Sequence, residues 1–401
     1  MNLKLKIIRF IFTSLVSLFY KLRYNRKRAL LLSALFLTFL IYSLNEDYIR
    51  ETVDLALADP NFEPNEERFL MYRCEVQADK NRNCGGLGDR IKGIVSAYLW
   101  ALIANRTFLI RIDRPCEFDQ LYEPNNFAID WNGRRNETFE RYDMIEINVD
   151  NSFKSRFHKL NFTLLYQKKK LIVLKSNRNL AESISKTIHS SIRARVKKLG
   201  FDPQKLDIPY TFKHIYNFLF KLTPHLNLKY KSFLSKAKPH NDTKLICAQI
   251  RIGKHRHFYK RKYVDIYAQS ESNSKRYWDI IREKFLAHML SENYKIFITT
   301  DSEMVHQEAL REFGIDKIVF NEGPFNHVDF LENTQDDCTN IEKSILDFHS
   351  LQNCDMAVIS RSQFGRIGLW NRDNPLKEVY AYNNELDKFY KWRTYDDLHT
   401  L

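Results

Sequence analysis

From Lys244 onward, short apolar runs alternate with stretches whose apolar positions recur every three or four residues. The runs 245–250, 294–299, 317–320, 356–359 and 378–381 read as strands, and 276–290, 302–313, 341–351 and 364–370 as the helices between them. The first of these helices puts Trp278, Ile281, Phe285 and Met289 on one side. Strand and helix in strict alternation predict a parallel sheet with helices on its faces. A second such pattern lies earlier. Residues 69–73 form a short apolar strand, Ile91, Ile94, Val95, Tyr98, Leu99 and Leu102 fall at helical spacing, and 107–112 alternates like a strand. Between the first strand and the helix stands Cys84-Gly85-Gly86-Leu87-Gly88-Asp89-Arg90. Residues 117–240 are mixed, with a strand at 171–174, a basic helix at 180–199 and another helix at 212–222.

Polar residues collect where the strands end, which is where open α/β sheets hold their ligands. Arg251 follows the strand 245–250, Thr300 and Asp301 follow 294–299, and Ser360, Arg361 and Ser362 follow 356–359. A guanidinium fork at Arg251 suits a phosphate through two parallel hydrogen bonds. Lys254, His255, Arg256 and His257 extend the run, although such runs are usually solvated loops. Asp301 either accepts from a ribose or a guanine or caps the helix at Ser302, and Ser360 and Ser362 either face phosphate oxygens or act as N-caps. In the earlier unit, Gly86 and Gly88 allow backbone N–H groups to approach an anion at a helix N-terminus. Asp113-Arg114-Pro115-Cys116 closes the next strand. Asp336-Asp337 reads as helix N-terminal charge, and no Asp-x-Asp or Cys/His metal spacing occurs in a suitable loop.

The net charge of +14 from 63 basic and 49 acidic residues resembles a nucleic-acid signal until it is located. Residues 1–28 hold eight basic residues and no acid, which leaves +6 for the rest, so nucleic acid is not the expected partner. Residues 29–44 are uncharged and rich in Leu, Phe and Ile. Though shorter than the roughly 20 residues of an ordinary span, they read as a signal anchor for a thin early-secretory membrane, a cleaved signal peptide being the alternative. The basic flank sets the N-terminus in the cytosol and the body in the lumen, a type II topology. The apolar run 7–20, broken by Arg9, reads as interfacial, with a two-span hairpin as its alternative. The expected organisation is a basic tail 1–28, an anchor 29–44, a stem 45–67, a first domain 68–240, a second domain 241–385 and a tail 386–401. A luminal body makes the sequons at Asn105, Asn136, Asn161 and Asn241 legible, Asn105 being the least favourable because it lies in a tight turn. Six cysteines in an oxidising lumen are expected to be partly paired. Cys74 and Cys84 bracket the glycine turn closely enough to form one bridge, and Cys247, inside an apolar strand, is a candidate free thiol.

Taken together, these motifs resemble the GDP-fucose-dependent fucosyltransferase superfamily of the GT-B fold, over roughly 71–112 and 245–382. Gly85-Gly86-Leu87-Gly88-Asp89-Arg90 is similar to that family's glycine loop, and Gln249-Ile250-Arg251 to its His-x-Arg motif. The strand ending in Asp301 is similar to one whose aspartate contacts the donor nucleoside. Residues 347–364, which include Ser360, Ser362, Gln363 and Phe364, are similar to the motif around the pyrophosphate. The resemblance implies two Rossmann-like domains facing a cleft. It also implies inverting transfer of fucose from GDP-fucose to a glycan or glycoprotein acceptor at the Golgi membrane, without a metal or other cofactor. Arg251 would take the leaving diphosphate's charge, with Gly86, Gly88, Arg90, Asp301, Ser360, Ser362, Gln363 and Phe364 around the donor. Asp89 is either the catalytic base or the residue that orients Arg90. Two positions depart from the pattern, Gln249 for histidine and Asp89 for asparagine. They leave open an alternative: a luminal glycan-binding protein that keeps the fold without the activity.

Overall fold

The computed structural model describes residues 67–74, 85–125, 130–132, 142–204, 206, 208–253, 269–289, 293–325 and 337–393. The expected basic tail and anchor, residues 45–66 of the stem, residues 394–401 of the C-terminal tail, Asn136, Cys84 and the run 254–257 lie outside them. Among the described residues no helix is long and apolar enough to cross a membrane.

Two parallel sheets organise the chain. In the first, β1 (Phe69–Cys74) is central, flanked by β2 (Thr107–Ile112) and β5 (Leu171–Ser176), and β4 (Met144–Val149) lies outside β5. In the second, the order is β12 (Lys388–Lys391), β11 (Val379–Asn383), β10 (Met356–Ile359), β7 (Lys244–Ile250), β8 (Tyr294–Thr300) and β9 (Ile318–Val319). Its pairs are parallel except the edge hairpin of β11 with β12. An antiparallel ribbon, β3 (Tyr122–Pro124) with β6 (Phe220–Leu222), stands apart from both sheets. The central strands are unbroken apolar runs because both faces are covered. Along β7, Ile246, Ala248 and Ile250 pack with Trp278, Ile281 and Phe285, while Leu245 and Cys247 point to the opposite layer.

Helix α1 (Leu87–Ala104) is the centre of the first half and is buried nearly all round. The apolar stripe read from the sequence is only one of its two covered sides. Trp100, on the other side, is fully buried against Phe157 and Phe162 at 4.9 and 5.3 Å, which is why the helix carries Ala97, Trp100 and Ala101 where a surface helix would be polar. Asn105 ends it in the left-handed region at φ 54°, and its N–H reaches back to Ala101 and Leu102.

The layers are completed by α2 (Asn151–Phe157), α3 (Phe162–Leu165), α4 (Ala181–Ser185), α5 (Ser190–Lys198), α6 (Ile208–Leu219), α7 (Pro224–Ala237), α8 (Ser274–Ile280), α9 (Glu303–Phe313), α10 (Asp337–Ser350) and α11 (Gln363–Leu369). The basic helix expected at 180–199 is two helices, because Thr187 Oγ1 accepts from His189 N–H and Ile188 N–H donates to His158 O outside any helix. The helix expected at 276–290 is α8 followed by a wide π turn, Ile281–Phe285. The helix expected to run to 222 stops at Leu219, and the last three residues pair with β3.

Cys247 is not free: it pairs with Cys354, tying β7 to the approach to β10. Cys116 pairs with Cys338 across 222 residues and joins the loop after β2 to the first turn of α10. Cys74 is also disulfide-bonded.

Candidate functional site

The second sheet places Arg251, Asp301 and Ser360 at the ends of three adjacent strands, β7, β8 and β10, and hydrogen bonds weld them together. Arg251 N–H donates to Ser360 Oγ at 2.9 Å, and Ser360 N–H to Gln249 O at 2.8 Å. Both oxygens of Asp301 accept from the turn beyond Arg251, Ile252 N–H at 2.6 Å and Gly253 N–H at 2.9 Å. Gln269 donates through Nε2 to Arg251 O at 2.8 Å and closes the turn from the other side. Gly253 takes φ 72° in this turn, where a side chain would be strained. Asp301 therefore clamps the arginine turn, while the cap of α9 is made by Ser302, whose Oγ accepts from Val305 N–H.

Gln249 is buried beneath this edge. Its Oε1 accepts from Ser360 Oγ at 3.2 Å and lies 2.4 Å from where a Cβ on Gly365 would sit. The amide thus holds Ser360 and lets α11 descend onto β7. Ser362 caps α11, accepting from Phe364 N–H at 3.2 Å.

The glycine turn meets this edge from the other half. A Cβ on Gly88 would lie 2.6 Å from Gln363 O and 2.9 Å from Phe364 N, so the open side of Gly88 is filled by the backbone of α11. Gly86 is the N-cap of α1, and its O accepts from Arg90 N–H at 3.0 Å. Arg90 is buried. It donates through Nε to Gly85 O at 2.9 Å and through Nη1 to Arg114 O, fixing the turn against the loop after β2. Asp89 lies in the first turn of α1 and pairs with Lys92 Nζ at 2.8 Å. Gly85, at φ 67°, packs against the Asp89 side chain.

Lys92 was not singled out from the sequence, although its place three residues after an acid on one helix is the spacing of an intrahelical pair. It is buried, and desolvation pushes its ammonium below the ordinary lysine range, with Arg366 and Arg178 acting in the same direction against the pull of Asp89. Gln269 carried no sequence signal at all. Among the predicted glycosylation positions, Asn241 is exposed, and Asn105 is exposed with Arg195 donating to its Oδ1 at 2.9 Å. Asn161 is buried with its amide nitrogen enclosed, and Thr163 donates to its Oδ1. Asp337 opens α10, and no cluster of three or more His, Cys, Asp or Glu side chains that could hold a metal occurs among the described residues.

Two Rossmann-like sheets, joined so that the C-terminal edge of the second meets the glycine turn of the first, define a GT-B-type architecture. The fold is that of the GDP-fucose-dependent fucosyltransferases. A mutant of Arabidopsis thaliana FUT1 in complex with GDP superposes with a TM-score of 0.55 at 13% identity, over 84% of this chain and 75% of that one. NodZ, an alpha-1,6-fucosyltransferase soaked with GDP-fucose, gives 0.50 at 15% identity, over 82% of this chain and 100% of that one. No family model matches the sequence, and no curated protein matches it either.

Proposed function

We propose that the protein is an inverting glycosyltransferase that moves fucose from GDP-fucose to a hydroxyl of a glycan or glycoprotein. What carries the reading is the hydrogen-bonded edge formed by Arg251, Asp301 and Ser360, set against the Gly88–Gln363 contact, in a fold whose solved examples hold GDP and GDP-fucose.

In this reading the acceptor hydroxyl attacks the anomeric carbon from the face opposite the diphosphate. Its proton passes to Asp89, and the electron pair of the breaking C–O bond leaves with GDP. Arg251 meets the charge that develops on the diphosphate, the larger part of the rate enhancement in such a step. Ser360 and Gln269 hold that arginine's backbone, and Asp301 the two residues after it, before the donor arrives, so little reorganisation accompanies the chemistry. Gly86, Arg90, Ser362, Gln363 and Phe364 shape the same junction. The Asp89 carboxylate, the Arg251 guanidinium and the hydroxyls supply the required groups without a metal. A signal anchor at 29–44 would hold the body in the Golgi lumen, where GDP-fucose and glycan acceptors meet.

The test is turnover of sugar nucleotides by the purified full chain in the presence of EDTA, with GDP binding followed by calorimetry. GDP-fucose should release GDP while UDP-sugars do not. A protein that binds glycan but neither binds GDP nor turns over GDP-fucose would be the inactive module instead.

A further inference from the structure

Beside the proposed base lies a charge that the reaction scheme does not use. Lys92 leaves only a tenth of its side chain in contact with solvent, and its Nζ sits 2.8 Å from Asp89 Oδ1, itself about a quarter exposed. A lysine taken out of water loses its hydration, and a single hydrogen bond to a carboxylate restores only part of it. The placement is enforced from three directions. On α1 itself, Gly88 and the Gln363 backbone close the junction above it, and Gly93, one position on, presses its Cα against Ser176 O, where a Cβ would lie 2.1 Å away. The charged groups facing Lys92 are Asp89 from its own helix, Arg366 from α11 and Arg178 from the loop after β5. Two cations and one acid around a buried ammonium leave Asp89 as its sole stabilising counter-charge among them.

Resting on the proposed function, we infer that Lys92 is the positioning residue for Asp89: a buried ammonium that holds the carboxylate in one orientation at the junction of the two halves, so that one oxygen is tethered and the other is left for the acceptor proton. Oδ1 is the tethered oxygen, and Oδ2 lies 3.2 Å from where a Cβ on Gly85 would stand. Glycine is thus required at 85 both by its φ of 67° and by the side of Asp89 that the tether turns toward it. Without Lys92 the carboxylate is free to swing between rotamers, and a misaligned base costs rate rather than donor affinity.

The tether has a pH signature. Burial lowers the ammonium's proton affinity against the opposing pull of Asp89, so the ion pair is lost as pH rises through a range below that of an ordinary lysine. Turnover of GDP-fucose, with water as acceptor, should therefore fall on the alkaline side in the wild-type chain. Lys92→Arg keeps a cation that does not titrate and should remove that fall while retaining at least a tenth of the neutral-pH kcat. Lys92→Met should lower kcat about tenfold or more, with the alkaline fall gone and the Kd for GDP within about twofold of wild type, which also reports that the variant is folded. An unchanged alkaline limb in Lys92→Arg, or an unchanged kcat in Lys92→Met, overturns the inference while leaving the transferase reading standing. A wild-type chain that never turns over GDP-fucose overturns the transferase reading instead.

Discussion

Arg251 and Asp301 stand side by side at one sheet edge, yet the structure gives them different physical tasks. Asp301 uses both oxygens to hold Ile252 and Gly253, so its removal strikes the turn itself. Asp301→Asn replaces one acceptor with a donor that faces a backbone N–H. It should cost about 1–3 kcal/mol of stability in urea denaturation and weaken GDP binding as the turn loosens. Arg251 is held through its backbone N–H and O, which a substitution keeps. Arg251→Lys or Arg251→Ala should lower GDP-fucose turnover by roughly 100-fold or more, as removal of a group facing developing charge does. Wild-type turnover in either variant would remove Arg251 from the mechanism. The sequence made both positions visible because each follows an apolar strand. It did not show that Asp301 turns back onto the Arg251 loop, since that contact joins residues 48 and 49 positions apart.

At the scale of elements, the strands buried on both faces were the most legible. The run 356–359 matches its observed bounds because a covered strand is a continuous apolar block, and 107–112 matches as an edge strand by its alternation, with Thr107 and Arg111 exposed. The edge strand β4 was missed although Ile145, Ile147 and Val149 alternate, for Met144 at its start is 46% exposed and blurs the period. Helix α7 was missed despite a start at Thr223-Pro224 and the helical spacing of Leu226, Phe233 and Ala237. The glycine turn shows the limit of motif reading. Its place at a strand–helix junction was evident, whereas the reason for Gly88 was not, because the backbone that fills its open side belongs to α11, some 275 residues on. A test separates the two roles. Gly88→Ala sets a methyl against backbone that cannot yield, so it should cost about 1–3 kcal/mol and reduce GDP affinity by moving α11. Gly93→Ala clashes with Ser176 O at the end of β5 rather than with the backbone of α11, and should destabilise the chain with the GDP Kd close to wild type at temperatures where it stays folded. Equal loss of affinity in both variants would make Gly88 an ordinary packing glycine.

Over the whole molecule, the two halves share a continuous apolar core in which Phe212 packs on Trp370 at 5.6 Å and Tyr216 on Phe348 at 6.1 Å. The Cys116–Cys338 bridge adds a covalent tie between the same halves. A polar chain runs through this seam: Tyr122 Oη lies 3.2 Å from Tyr216 Oη, which lies 3.2 Å from His349 Nδ1, and Tyr230 meets the His349 ring edge-on at 4.7 Å. Enclosed among aromatic rings, His349 resists protonation, and burial pushes its pKa down to about 4. The unfolded chain, with an ordinary histidine near 6.5, binds a proton that the folded chain refuses between those values, so the contribution to stability is full above about pH 6.5 and is lost as pH falls toward 4. From pH 7 to pH 5 this amounts to roughly 2 kcal/mol. His306, lowered by burial and by Lys343, adds a smaller loss of the same sign. The carboxylates contribute below that window: in Glu182 burial is outweighed by hydrogen bonds from Lys186 and Lys154, and its pKa of about 2 places its loss under pH 4.5. Urea denaturation of the wild-type chain should thus show stability falling by about 2 kcal/mol or more between pH 7 and pH 5. His349→Gln, which keeps a group able to meet the Tyr216 hydroxyl without titrating, should flatten most of that slope. A variant that retains the full slope would show that the seam between the halves is not where the acid sensitivity arises.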